Sequence, residues 1–348
     1  MLAIEPLAPD SGATRDSTSK AAGYGKPARV SLAGPHGDKL DVVWRVASSD
    51  EFGHDRRADR AGNMVLAFDD FAHMPRHVQA LDLGAIGEDG ELISFRDGGE
   101  LYLITSYAPG QIYAEDLRRI ARDGQATELD LARVDVLARY LATLHAQPLA
   151  AELANPRYRR AIRDLLGHGE GIFGMIDGFP PIAEIPPERL QAIEHRCVDW
   201  RWRLRESEHR LTRTHGDFHP FNVVFDGGTD FTVLDASRGT CGDPADDVIA
   251  MAINFLLFAI DTRGGWNGLG PLWHRFWSTY LHARPDHELA QVAPLFFTWR
   301  ALVVCNPRFY PSLSVDGREL LLGLAEWALD HGRLDPARAD ELFRGWAA

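Results

Sequence analysis

Residues 215–225 read "HGDFHPFNVVF", and the way their polar side chains are grouped decides the fold. Taken alone, His215, Asp217 and His219 alternate, so on an extended strand all three would face one side and could hold a metal. That grouping leads to a metal-dependent hydrolase. It also needs further ligands and an open coordination position, and the remaining histidines are scattered singly. Taken with the downstream residues, Asp217 stands five residues before Asn222, and "FTVLDASRG" places Asp235 18 residues beyond Asp217. "FNVVF", "DGGTD" and "FTVLD" read as strand, turn and strand, which returns Asp235 beside Asn222. One carboxylate near an attacking hydroxyl, plus oxygen ligands for Mg²⁺ against nucleotide phosphates, is what phosphoryl transfer requires. The spacing selects the second grouping.

The rest of the chain sets bounds on that site. A length of 348 residues exceeds the usual single core and predicts two lobes around a cleft. A hydrophobic share of 45% and a charged share of 25% are those of an ordinary globular protein. The net charge of −13 argues against nucleic acid as a partner and is compatible with a cationic small molecule. Cys197, Cys241 and Cys305 lie far apart and suggest a reducing compartment. No secretory signal is visible at the N-terminus, and the longest apolar stretch, 248–260, is too short to span a bilayer and reads as a buried helix. A cytoplasmic location is expected, with no membrane partner; the oligomeric state is left open.

Residues 1–27 lack hydrophobic period and are expected to form a flexible arm. Strand-like runs come next at 28–34 and 39–46, then helical spacing at 54–73, and further strands at 78–86, 91–95 and 100–107. Residues 28–107 therefore read as a small antiparallel α+β lobe. After "APGQ" (108–111) the pattern turns helical through 108–348, with helices expected near 127–147, 156–167, 187–210, 244–260, 270–283, 287–304 and 316–333. Thr127 is the expected N-cap of the first, with Asp130 in its opening turn. Asp243, before Pro244, reads as a helix N-terminal residue, and His219 as a packed or hydrogen-bonded histidine.

"HGDFHPFNVVFD…FTVLDASRGTCGDPADDVI" resembles the aminoglycoside phosphotransferase and choline kinase-like family, which has the protein-kinase-like fold. "LARYLATLHA" (137–146) and "YLITSYAPG" (102–110) are similar to that family's Leu-His helix and interlobe hinge, and 293–313 to the tail of some members. The resemblance implies a two-lobed α+β fold, with a small antiparallel-sheet N-lobe and a larger, mainly helical C-lobe. That C-lobe would carry a catalytic loop at 215–222 and a metal-binding strand end at 231–239. It implies Asp217 as catalytic base or orienter, Asn222 and Asp235 as Mg²⁺ ligands, and His215 and Asp247 as supports. ATP, or GTP, would be the donor, its purine meeting the backbone of Thr105, Ser106 and Tyr107, and a small-molecule hydroxyl would be the acceptor.

The N-lobe departs from the kinase-like pattern. Where such folds place a phosphate-gripping strand lysine paired to a helix glutamate, this chain has Arg45, with Lys39 as the fallback, and no glutamate in 54–73. Asp59 and Asn63 are the available helix partners. This departure leaves a nucleotide-binding pseudo-kinase as the rival reading. The glycines of 22–27 and 33–38 are candidates for a phosphate cover. On the acceptor side, 258–277 is a candidate pocket wall and 167–182 a candidate loop or lid.

Overall fold

The computed structural model describes residues 2–7, 27–34, 37–48, 54, 57–87, 89–93, 100–147, 149, 154–236, 238, 240–262 and 264–346. Of the candidate phosphate covers, 22–26 and 35–36 lie outside these residues.

The first lobe is an antiparallel sheet. Its strands are β1 (Ala3–Pro6), β2 (Ala28–Ala33), β3 (Lys39–Val46), β4 (Ala80–Ile86), β5 (Leu92–Ile93) and β6 (Glu100–Ser106), in the order β1-β2-β3-β6-β4-β5. The β2–β3 hairpin pairs Ala28 with Trp44 and Ala33 with Lys39, and its turn uses Gly37 at φ +83°, where a side chain would be strained. Helix α1 (Arg57–Phe71) lies between β3 and β4 in sequence. It buries Met64, Ala67 and Phe71 against Val78, Ala85 and Leu103, a small core separate from that of the other lobe. Part of the expected arm is strand: Ala3 to Pro6 pair with Ser31 to Ala28. All four side chains of β1 are exposed, so the pairing is a matter of backbone hydrogen bonds and leaves no hydrophobic period to detect.

The chain leaves β6 through the hinge and enters the helical lobe. Gly110 has φ +125°, and a Cβ there would collide with the Phe225 carbonyl, so the hinge ends in the one residue type that fits. β7 (Gln111–Ile112) leads into α2 (Tyr113–Asp123), which the sequence reading did not expect, and α3 (Glu128–His145). Thr127 and Asp130 form a reciprocal capping box at the start of α3, satisfying two amide donors that the helix cannot. Next come α4 (Ala154–Gly167), α5 (Ile172–Asp177) and α6 (Pro187–Leu204), then β8 (Thr212–Arg213), β9 (Val223–Phe225), β10 (Phe231–Val233) and β11 (Cys241–Gly242). The lobe closes with α7 (Pro244–Asp261), α8 (Trp266–Ala283), α9 (Leu289–Cys305), α10 (Val315–His331) and α11 (Ala339–Trp346).

Helix α7 is the axis of this lobe. Residues 248–260 are buried throughout, as an apolar run that is hydrophobic all round is expected to be in a packed core. It packs on α8 and α9. Asp243 caps it, accepting from Ala245 N while also holding the buried Arg210 guanidinium and the Tyr158 hydroxyl. No helix among the described residues is long and apolar enough to cross a membrane. The aromatic stretch expected as a pocket wall packs instead: Trp266 stacks on Phe343 at 4.3 Å, and Trp273 donates to Pro336 O.

Candidate active site

The β9–β10 hairpin builds one side of the site. Val223 pairs with Val233, and Leu234 N donates to Asn222 O at 2.8 Å, which sets Asp235 beside Asn222 as the strand–turn–strand reading expects. Asn222 Nδ2 donates to Asp217 O at 3.1 Å, so its amide oxygen is the atom left to meet a cation. Asp235 has φ +62°, a left-handed conformation that Asp tolerates better than most residues and that turns the chain sharply after β10.

Asp247, fully buried on the first turn of α7, holds the candidate catalytic loop by its backbone. Its Oδ2 accepts from His215 N at 2.7 Å and its Oδ1 from Gly216 N at 2.8 Å. His145 Nε2 lies 3.1 Å from the same carboxylate, and His145 Nδ1 lies 2.8 Å from the Tyr280 hydroxyl. Burial works to raise the Asp247 carboxyl, but His145 and the loop amides win and hold it below the ordinary range. His215 is buried within this cradle, and Asp217 N donates to its Nδ1 at 3.3 Å. Burial depresses its pKa and keeps the ring neutral.

His77 is a support that the sequence reading missed. Its Nε2 accepts from Ala236 N at 3.3 Å while its Nδ1 lies 2.8 Å from Val78 O, which ties the residue after Asp235 to the segment preceding β4. Burial pushes this imidazole down to about 4, so at neutral pH it is an uncharged acceptor for that amide.

The HxDxH grouping does not form a metal centre. Residues 215–219 are not a strand; His215 points into the cradle, and His219 Nδ1 accepts from Phe221 N. Among the described residues, no three His, Cys, Asp or Glu side chains gather to hold a metal. Asn222 and Asp235, by contrast, offer an amide oxygen and a carboxylate. That oxygen pair suits Mg²⁺, which usually completes its shell with water and substrate phosphates.

Arg45 enters from the other lobe. Both its Nη atoms lie 3.3 Å from Asp235 Oδ1, so the strand cation faces the cleft above the candidate metal ligand. Lys39, the fallback, is 59% exposed at the start of β3 and sits 3.7 Å from Asp41, away from the cleft lining. The Asp59 side chain lies outside the described residues, and Asn63 is half-buried on α1. Thr105 and Ser106 line the cleft, but both lie in β6, where Thr105 pairs with Val43 and Ser106 N donates to Gln79 O. Of the three residues expected to meet a purine, Tyr107 alone lies beyond the strand.

Two arginines that the sequence reading did not single out surround Asp217. Arg300, on α9, donates to Asp217 Oδ1 at 2.6 Å, to Gly216 O at 3.3 Å and to Asp246 Oδ1 at 3.1 Å. Arg238 lies 3.9 Å from Asp217 Oδ2 and 3.2 Å from Glu170, a member of the candidate lid stretch. Burial would raise the Asp217 carboxyl, yet Arg238, His219 and Arg300 hold it well below the ordinary carboxylate range. Asp246 goes the other way: burial pushes it up to about 7 against the same Arg300. Of two carboxylates on one guanidinium, Asp217 is therefore the one that keeps its charge near neutral pH.

The cleft measures about 780 Å³ and runs from the hinge and Arg45 past Asn222 and Asp217 to the C-terminal helices. It brings Arg45, Asp217, Asn222 and Asp235 together around one space, with His215 and Asp247 behind them.

A profile of the phosphotransferase enzyme family matches residues 54–277. None of the curated proteins searched matches the chain. Among solved structures, an aminoglycoside phosphotransferase of the 2″ type, determined with GDP and kanamycin, is similar at 13% identity and TM-score 0.51, over 95% of this chain and 94% of that one. Amicoumacin kinase, determined with AMP-PNP and Ca²⁺, is similar at 15% identity and TM-score 0.50, over 93% of this chain and 91% of that one. At such identities these likenesses speak for the fold alone, whereas the profile spans most of both lobes and contains Asp217, Asn222 and Asp235. The chain belongs to the phosphotransferase enzyme family and has its two-lobed, protein-kinase-like fold.

Proposed function

We propose that this small-molecule phosphotransferase binds ATP with Mg²⁺ in the interlobe cleft and transfers the γ-phosphoryl group to a hydroxyl of its substrate. The observation that carries the reading is the placement of Asp235 beside Asn222 by the hairpin, with Asn222 tied to the Asp217 backbone. Asn222 and Asp235 would hold Mg²⁺, which supplies charge neutralisation for the phosphates. Arg45 would pass from Asp235 to the nucleotide phosphates once a cation takes its place. The purine edge would meet the backbone of Tyr107 and Ala108, since the amide of Ser106 is engaged.

Asp217 would meet the acceptor hydroxyl. Ringed by Arg300, Arg238 and His219, it is a weak proton store, and its work is better described as orienting the hydroxyl through a strong hydrogen bond. With γ-labelled ATP and a panel of hydroxyl compounds, wild type should move label into one compound class. Asp217→Asn should lower that transfer by roughly 10²–10⁴ in a protein that still folds, with some loss of stability because Arg300 and Arg238 lose a charged partner. Near-normal transfer by Asp217→Asn would remove Asp217 from the mechanism. Nucleotide binding with no transfer to any acceptor would support the pseudo-kinase reading instead.

A further inference from the structure

The charges of the cleft come in pairs. Among the described residues, the carboxylates lining it are Glu115, Glu170, Asp217 and Asp235. Each of them holds an arginine: Glu115 with Arg118 at 2.8 Å, Glu170 with Arg238 at 3.2 Å, Asp217 with Arg300 at 2.6 Å, and Asp235 with Arg45 at 3.3 Å. The Asp235 pair belongs to the nucleotide side. On the acceptor side stand two carboxylates and two guanidinium groups, Asp217, Glu170, Arg238 and Arg300, with Asp246 behind Arg300 as its second carboxylate partner.

Both acceptor-side arginines are stacked as well as bonded. The Arg300 and Arg238 guanidinium carbons lie 4.0 and 4.6 Å from the centre of the same Trp299 ring. Trp299 Nε1 donates to Glu170 O at 2.8 Å, which fixes the ring against the wall that carries Glu170. A guanidinium held by carboxylate and ring together resists being swung aside by an incoming ligand. The wall also carries the apolar and aromatic side chains Met175, Val303, Val304, Phe309 and Tyr310, and one neutral amide, Asn254, whose Nδ2 donates to Ala250 O at 2.8 Å and whose Oδ1 has no partner among the described residues. An ammonium group entering here would meet two guanidinium groups and no uncommitted carboxylate, an arrangement that repels cations. The chain's net charge of −13 therefore does not carry over to the place where the acceptor binds.

Building on the phosphotransfer reading above, we propose that Arg238 and Arg300 are specificity-determining residues that close the acceptor wall to cations. The acceptor class that fits is an uncharged hydroxyl compound with an apolar body, not an amino sugar.

Kanamycin serves as the polyamine probe, titrated by calorimetry into wild type, Arg238→Gln, Arg300→Gln and Arg300→Lys, each loaded with AMP-PNP and Mg²⁺. Freeing a carboxylate should tighten kanamycin binding at least tenfold over wild type in both glutamine variants. Arg300→Lys keeps the positive charge and should bind as poorly as wild type, which separates charge from packing. Equal kanamycin curves for wild type and the glutamine variants, whether both saturate or both stay flat, overturn the proposal. Arg238 is partly exposed, so Arg238→Gln carries the comparison even if Arg300→Gln does not fold. Failure of wild type to bind AMP-PNP would sink the phosphotransfer reading by itself. The kanamycin comparison on unloaded protein would still decide whether the wall excludes cations.

Discussion

The candidate catalytic loop and strand β3 face each other across one cleft and are held in opposite ways. The loop is fixed from behind by groups with no solvent contact: Asp247 and His215 are both 0% exposed, and two loop amides end on one carboxylate. Arg45 on β3 is 26% exposed, and the carboxylate it meets, Asp235, is itself a candidate metal ligand. One half of the site is therefore organised before any ligand arrives, and the other is organised around whatever sits at Asp235. In phosphoryl transfer that division is reasonable. On the proposed reading, groups that orient the acceptor would have to stay fixed, whereas a phosphate grip could close with the nucleotide.

If the comparison is right, the loop should be costly to disturb. Asp247→Ala would leave the His215 and Gly216 amides unsatisfied in a dry interior and His145 Nε2 without its partner. A loss of about 3–5 kcal/mol in unfolding free energy is expected from denaturant titration. A loss below about 1 kcal/mol would show that the loop is held by something else.

Strand β3 should behave in the reverse manner. Arg45→Ala should leave unfolding within about 0.5 kcal/mol of wild type, as for a partly exposed charge. ATP affinity should fall about tenfold while adenosine affinity stays the same, because ATP alone presents phosphates. Arg45→Lys should recover part of the loss, since the charge returns without the planar fork. Equal effects on ATP and adenosine would make Arg45 a sheet-surface charge.

The smallest effect sharpens the picture of the loop's surroundings. Asp246, next to Asp247, has its carboxyl raised by burial from the ordinary 3.8 to about 7. The folded protein thus holds this proton more tightly than the unfolded chain. The stability so gained is complete below about pH 4 and is lost as pH rises through 7. Asp246→Asn mimics the neutral form. It should match wild type near pH 4 and be the more stable of the two near pH 8. A constant difference across that range would contradict the shift.

The catalytic half was the more legible from sequence because its parts are local. Asn222 and Asp235 are joined by a tight hairpin whose turn residues fix the register, so spacing translates into geometry. The Thr127 capping box and the Asp243 cap are equally local. Arg300 is 83 residues from Asp217, and His77 is 159 residues from Ala236; such contacts leave no pattern in one sequence. Helix α9 is buried nearly all round, and a lone arginine in an apolar helix is the available signal: Arg300 is its one charged residue. Strand β1 was missed for the opposite reason, having no buried face to impose a period.

On the proposed reading Asp235 and Asn222 form the metal side of a nucleotide site. Calorimetric titration of ATP into wild type and Asp235→Ala, each with and without Mg²⁺, tests it most directly. Mg²⁺ should strengthen ATP binding in wild type, and Asp235→Ala should abolish this gain. Asn222→Ala should reduce it by less, since an amide offers a hard cation a dipole where a carboxylate offers a full charge. An equal Mg²⁺ dependence in Asp235→Ala and wild type would contradict the account.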